Sequence, residues 1–462
     1  MRPFELTLSL LTILVALSYF FPQVSLPLKY RVLPIILVLV AGAQLLFEGF
    51  RWQLWPLFIG ILLVVLAAVL KASGWGAGVL LGFGGLLAVV SIVGGTLLPV
   101  PKPYKITGPY QVGTTTAYMA DTSRQEIYGD DPNAPREIMV QVWYPAEPTR
   151  NSVRSQWMRD IKSAAPAIAE YIDLPSFALN HLKYVKANAF IDAPPIESGE
   201  LPVLIFSHGW AGFKEQNIFQ VEELASHGYV VVGINHTYGA ILTVFPDGRE
   251  IPRSPDALPS GVSQEEYDIA SNILVRQWAG DIGFVLDELA ALEPNADLGL
   301  VAGKLNLGKV GIFGHSTGGG ATAEFCATDI RCKAALTMDL WGEPVSDDVI
   351  SAGLTQPFML MHSEVWGEAR NHERVRTLVD ASAGEVLEFT IRGTTHYDFS
   401  SLPLLSPLAS SIGLKGPIEG DLGLEIINTY SVQFFDQALR GDSTDWDALN
   451  AQYPDVLFGV RP

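Results

Sequence analysis

The stretch "KVGIFGHSTGGGATAEF", residues 309–325, decides how the rest of the chain is read. Val310, Gly311, Ile312 and Phe313 make a short apolar, strand-like run; the chain breaks at Gly314, exposes one serine and continues as a small-residue helix. Gly314-His315-Ser316-Thr317-Gly318 matches G-x-S-x-G, a strand–turn–helix elbow that lifts a hydroxyl clear of a sheet. The serine needs a strained turn, and glycine two positions to either side lets strand and helix approach without Cβ clashes. The helix N-terminus beside it favours developing negative charge. A glycine-rich turn with an incidental serine is the bland alternative. The apolar strand before the turn and "GGGATAEF" after it speak against that.

Around this stretch, strand-like and helix-like runs alternate. "EIMVQVWYP" alternates as a half-buried strand should, while "PVLIFSHG", "GYVVVGINH", "CKAALTMD", "PFMLMHSE" and "VLEFTIRGTTH" are apolar runs with polar ends. "NIFQVEELASHG" and "ILVRQWAGDIGFVLDELAAL" read as helices between them. The pattern predicts an α/β fold with a mostly parallel central sheet covered on both faces. Reactive groups gather at the carboxyl ends of such strands, so every polar ending is a candidate for one shared site.

A serine hydroxyl needs a base. His396, in "IRGTTHYDFS", stands beyond the last strong strand, in the order Ser then His used by this architecture. His208, His236 and His362 also end strands and are weaker candidates; His315, beside the nucleophile, is expected to point elsewhere. A carboxylate must orient the imidazole. Asp339 ends "CKAALTMD" and Glu364 ends "PFMLMHSE", and position alone does not choose between them; Asp398 is too close in sequence to face the ring squarely. "IFSHGWAGF" (205–213) supplies an early His-Gly loop, so the Trp210 and Thr317 N–H groups are the expected oxyanion donors.

Residues 1–100 are almost continuously apolar. Four candidate spans, 4–21, 32–47, 54–70 and 77–100, lie near the roughly 20 residues needed to cross a hydrocarbon core. Charges and tryptophans mark the breaks, including Lys29, Arg31, Glu48, Arg51, Trp52, Trp55, Lys71 and Trp75. No small-x-small cleavage site follows in "ALSYFFPQVS", so the first span is expected to be retained rather than removed as a signal peptide. The predicted organisation is a four-helix transmembrane segment, 1–102, and a catalytic domain, 103–462, joined by the proline-rich "LLPVPKPYKITGPY" (97–110). Lys/Arg counts in the loops do not decide orientation. Up to Lys105 there are seven Lys/Arg against two Asp/Glu, leaving 23 against 47 for the remainder. An acidic body repels phosphate backbones, which excludes nucleic acid as a partner. Cys326 and Cys332, in "CATDIRC", would be about 9 Å apart along one continuous helix, too far to bond. A helix ending near Asp329 would let them pair, and a disulfide would favour an extracytoplasmic catalytic domain.

At this point the residues resemble the plasma and type II intracellular platelet-activating factor acetylhydrolases and their bacterial relatives, of the α/β-hydrolase superfamily. The resemblance runs through most of 107–441, in "QVWYPAE", "IFSHGWAGFKEQ", "ELASHGYVVVGINH", "GIFGHSTGGGATA", "MDLWGEP", "RGTTHYDFSSLP" and "GLKGPIEGDLGLEIINTYSVQFFDQAL". It implies an α/β-hydrolase fold, Ser316 as nucleophile, His396 as base and, because a Trp follows two residues after the family's acid, Asp339 rather than Glu364. It also implies Trp210 and Thr317 as oxyanion amides, a short-acyl or oxidised phospholipid ester as substrate, and no metal or organic cofactor. Trp341, and with it Phe213, are the expected acyl-pocket residues. The four apolar spans depart from the animal enzymes, and 155–182 is a candidate lid. The rival expectations are a broader carboxylesterase or polyesterase, or a catalytically silent membrane-tethered binding module; a dienelactone-type hydrolase generally uses Cys where Ser316 stands.

Overall fold

A computed structural model describes residues 1–21, 24 and 28–459, so parts of "ALSYFFPQVS" and the last three residues of the catalytic domain lie outside the described residues. The chain divides into two compact units. One holds 1–101 together with 173–185 and 405–408; the other holds 102–172, 186–404 and 409–462.

The first unit is built on four apolar helices, α1 (Pro3–Ser18), α2 (Leu33–Phe47), α3 (Trp55–Val69) and α4 (Gly74–Leu97). Tyr30–Phe47, Trp52–Val69 and Gly74–Leu97 are long and apolar enough to cross a membrane. The first predicted span is shorter than expected: α1 has 16 residues, about 24 Å at 1.5 Å per residue. Helices α3 and α4 meet at glycines, where a Cβ on Gly60 would stand 2.6 Å from the Gly84 carbonyl oxygen. Small residues permit such an approach where neighbouring side chains offer no hydrophobic contrast. At the start of α3 the Leu57 N–H donates to Ser91 Oγ (2.8 Å), satisfying a group that no helical carbonyl can reach. Glu5 and Arg51 form a buried bidentate pair, both contacts at 2.7 Å, joined by Arg2. The segment 173–185 belongs here through Trp52 Nε1–H, which donates to the Ala178 carbonyl (3.0 Å), and Tyr184 O–H, which donates to Phe50 O (2.6 Å).

Among the described residues the second unit carries thirteen strands: β1 (Gln111–Gln125), β2 (Pro135–Ala146), β3 (Arg154–Gln156), β4 (Lys186–Ile191), β5 (Leu201–Ser207), β6 (Val230–Asn235), β7 (Leu242–Val244), β8 (Glu250–Pro252), β9 (Leu305–His315), β10 (Cys332–Met338), β11 (Phe358–Val365), β12 (Val386–Thr395) and β13 (Val456–Phe458). Eleven make one sheet in the order β13-β12-β11-β10-β9-β5-β6-β2-β1-β4-β3, and β7 pairs with β8. From β12 to β6 every pairing is parallel; the flanking β13 and β2 run antiparallel. Val203, Ile205, Val310, Ile312, Ala335 and Leu360 line one continuous core. Strand β2 differs from the half-buried expectation, since Ile138–Ala146 is buried throughout. Its polar Gln141 lies inside the sheet, where its Nε2 donates to Thr114 Oγ1 (2.9 Å), instead of facing water.

Register sets one row across the carboxyl ends: Ser207 opposite Gly314, His315 opposite Met338, and Met338 opposite Met361. The helix after β9, Thr317–Thr328, stops before Asp329, and the chain folds back so that Cys326 and Cys332 form a disulfide. It ties the helix behind Ser316 to the strand that ends at Asp339. Replacing both cysteines with serine is expected to lower unfolding free energy by about 2 kcal/mol, the value for so short a closed loop. Denaturant melts of the two full-length chains check this; an unchanged midpoint would count against it.

Candidate active site

Glycine pattern and strand end combine to make the elbow. A Cβ on Gly314 would overlap the Gly318 carbonyl, and a Cβ on Gly318 would overlap the Ser207 carbonyl, so neither position tolerates a side chain. Ser316 itself has φ 54°, a strained conformation costing on the order of 1–3 kcal/mol. Its neighbours lock it: Ser316 N–H donates to Met338 O (3.0 Å), and Ser316 O accepts from Trp341 N–H (3.2 Å) and Gly320 N–H (3.1 Å). Between buried His315 and Thr317, Ser316 alone retains solvent access. Asp339 (φ 45°) and Ala211 (φ 57°) adopt the same left-handed region. Strain of this sort concentrates at functional sites.

Asp339 Oδ2 lies 3.0 Å from His396 Nδ1 and accepts from Ser363 Oγ–H (2.7 Å), while its Oδ1 accepts from Ser363 N–H (2.7 Å). Burial pushes this carboxyl up, but the His396 hydrogen bond and charge, with the Ser363 donors, hold it below the usual carboxylate range. The other carboxylates do not meet the ring. Glu364 is exposed and accepts from Gly393 N–H (2.7 Å), and Asp398 closes a turn by accepting from Thr395 and Gly416 N–H groups. Two aromatic rings flank His396. Trp366 stacks on it at 4.3 Å with 9° between planes, and the His315 ring lies 4.4 Å away. Trp366 carried no sequence signal beyond following a polar strand end. The expectation that His315 points away is corrected: its Nε2 lies 3.1 Å from the His396 carbonyl oxygen.

Gly209 packs directly on the elbow, where a Cβ would stand 3.4 Å from Ser316 Cβ. Among the described residues neither Trp210 N–H nor Thr317 N–H has an acceptor, and neither does the Ser316 hydroxyl have a partner. Trp341 is bound to the Ser316 backbone as noted, whereas Phe213 is buried edge-on against Trp157 at 5.7 Å. The candidate lid divides between the units: Trp157 and the helix Ile161–Tyr171 belong with the sheet, and 173–182 belongs with the apolar helices.

The remaining strand-end histidines are engaged elsewhere. Ser207 Oγ, His236 and Asp281 form a second Ser–His–Asp chain, with 2.9 Å at each link, but all three are fully buried. Burial holds His236 down, and Asp281, despite the same burial, is kept well below the carboxylate range by Arg136 (2.7 Å). Sealed from solvent, this chain anchors strand ends and receives no substrate. His208 Nδ1 lies 2.7 Å from the Gly209 carbonyl oxygen and its Nε2 accepts from His236 N–H (3.2 Å), and His362 pairs with Glu388 (3.1 Å). Among the described residues no group of three His, Cys, Asp or Glu side chains is placed to hold a metal ion.

A family model described as platelet-activating factor acetylhydrolase, isoform II, matches residues 100–455. A platelet-activating factor acetylhydrolase of Cavia porcellus is 25% identical over 385 residues, covering 78% of this chain and 83% of the relative. A probable 1-alkyl-2-acetylglycerophosphocholine esterase of Arthroderma benhamiae is 24% identical over 409 residues, covering 80% of this chain and 95% of the relative. Among solved structures, a ferulic acid esterase from Streptomyces cinnamoneus superposes with a TM-score of 0.64 at 23% identity, over 78% of this chain and all of that one, and so shares the fold.

The geometry around residue 339 yields a direct test. Asp339→Asn is expected to slow ester turnover about 10⁴-fold through loss of tautomer control, while Glu364→Gln stays within about twofold. Steady-state rates on p-nitrophenyl acetate rank them; the reverse order moves the acid to Glu364.

Proposed function

The chain belongs to the platelet-activating factor acetylhydrolase, isoform II, family and is a carboxylic ester hydrolase of that kind; we propose that it works through Ser316, His396 and Asp339 as a membrane-anchored lipid esterase. The observation that carries the reading is the 3.0 Å contact between buried Asp339 and His396 beside a solvent-accessible serine in a strained elbow. Asp339 fixes the proton on Nδ1, leaving Nε2 to take the Ser316 proton. Ser316 Oγ attacks the ester carbonyl, and the oxyanion is held by the N–H groups of Trp210 and Thr317, each worth about 3 kcal/mol at the transition state. His396 returns the proton to the leaving alcohol. Water then repeats the sequence on the acyl-enzyme, and the carboxylate product leaves with the serine restored.

Trp341, whose N–H donates to the Ser316 carbonyl, and Phe213 are the proposed acyl-pocket residues. Short or oxidised acyl esters of phospholipids are the proposed substrates, in keeping with the acetylglycerophosphocholine esterase among the relatives. The apolar helices supply the anchor, since three are long enough to cross a membrane. The disulfide favours a catalytic domain on the oxidising, extracytoplasmic side.

In full-length protein held in detergent, Ser316→Ala is expected to reduce p-nitrophenyl acetate hydrolysis by at least about 10⁴-fold and to abolish fluorophosphonate labelling. Undiminished turnover would reject the mechanism. A panel of sn-2 acyl lengths on a glycerophosphocholine scaffold, beside aryl and polyester esters, should favour acetyl over long acyl groups; preference for the non-lipid esters would reject the substrate class.

A further inference from the structure

Gln216 is a buried polar side chain that the mechanism above does not use. Its Oε1 accepts from Gly209 N–H (3.0 Å), and its Nε2 lies 3.0 Å from His315 Nδ1 and 3.1 Å from Asn217 Oδ1. The His315 ring continues the line, with Nε2 3.1 Å from the His396 carbonyl oxygen. The two ends dictate the polarity of this chain. Gly209 N–H can only donate, so the amide oxygen faces it and the amide nitrogen faces His315. Nδ1 must then accept, Nε2 carries the proton, and it donates to the His396 carbonyl, which can only accept. Burial, followed by the nearby His396 charge, pushes His315 down to about 3, so the ring stays neutral and keeps this single tautomer. A second tie runs through the backbone, where Ser401 N–H donates to Gln216 O (3.0 Å).

We infer that Gln216, acting through His315, is a positioning residue that couples the oxyanion loop to the nucleophile elbow and the general-base loop. The three parts come from strand ends far apart in sequence: Gly209 follows β5, His315 ends β9 and His396 follows β12. Turnover needs the Trp210 N–H, Ser316 Oγ and His396 Nε2 within a few tenths of an ångström of their reacting positions at once. Gln216 binds the peptide beside the first, the ring beside the second and, by that ring, the backbone of the third. Van der Waals packing alone would leave each loop free to settle separately. A hydrogen-bonded chain with one allowed polarity permits a single arrangement.

This inference rests on the serine-hydrolase reading, and the experiment separates the two. Gln216→Met keeps the side chain's size and removes its links to Gly209, His315 and Asn217. In the full-length chain it is expected to lower kcat about 10- to 100-fold while KM changes less than about threefold, the pattern of lost alignment. The thermal midpoint should move by no more than a few degrees, about 2–4 °C. His315→Leu should cost a similar factor alone and less than about threefold more on top of Gln216→Met, because one chain is broken once. A Gln216→Met kcat within about twofold of wild type overturns the inference. So does a loss matched by lost folded fraction, or one that multiplies fully with His315→Leu. If Ser316→Ala is inactive while Gln216→Met is unaffected, only the inference falls; activity surviving in Ser316→Ala removes the mechanism beneath it.

Discussion

The helix Thr317–Thr328 descends on strands β5 and β9 more closely than any side chain allows, and the site follows from that approach. Gly314 and Gly318 touch each other's backbone, and Gly318 also meets the Ser207 carbonyl. With no Cβ between them, the turn at Ser316 is compressed into a left-handed conformation, and the hydroxyl is pushed out of the sheet. The same approach aims the Thr317 N–H outward at the head of the helix and presses Gly209 against Ser316. The proposed nucleophile and oxyanion loop thus depend on one packing constraint, and the strain at Ser316 is borne by the buried parallel sheet beneath it.

Electrostatics at the site depends on burial being compensated. Asp339 stays ionised under cover because three donors converge on it, from Ser363 and His396. His315 and His236, buried without such an excess of negative partners, are held neutral. A neutral ring with a fixed tautomer is a directional connector, and a charged one would repel the His396 cation formed during acylation. The stacked Trp366 face adds attraction for that cation. Two histidines thus serve as structure, while a third, His396, partly open to solvent, is the proposed general base.

The apolar helices follow a different rule. Their outward side chains are large and hydrophobic, including Leu39, Leu46, Leu62 and Phe83, and polar side chains such as Glu5, Arg51 and Ser91 are turned inward. Glu5 with Arg51, and Ser91 with the Leu57 N–H, satisfy each other inside the unit. Such inversion suits a medium that offers no hydrogen bonds of its own.

Local pattern was enough to read the elbow, the apolar spans, the proline-rich junction and the alternation that yields a parallel sheet. Each depends on residues within a few positions of one another, where steric and periodic preferences act directly. Helix α1 is shorter than its apolar run because residues 19–21 continue the apolar composition past the point where helical geometry ends. Asp339 and Glu364 end adjacent parallel strands and are equivalent by position; only the turn at φ 45° aims one of them at His396. Pairing of Cys326 with Cys332 depended on where a helix stops, and the Gln216–His315 link joins residues 99 apart. Those contacts belong to the register between strands. Register is the collective outcome of burying the whole sheet, so no stretch of sequence carries it alone.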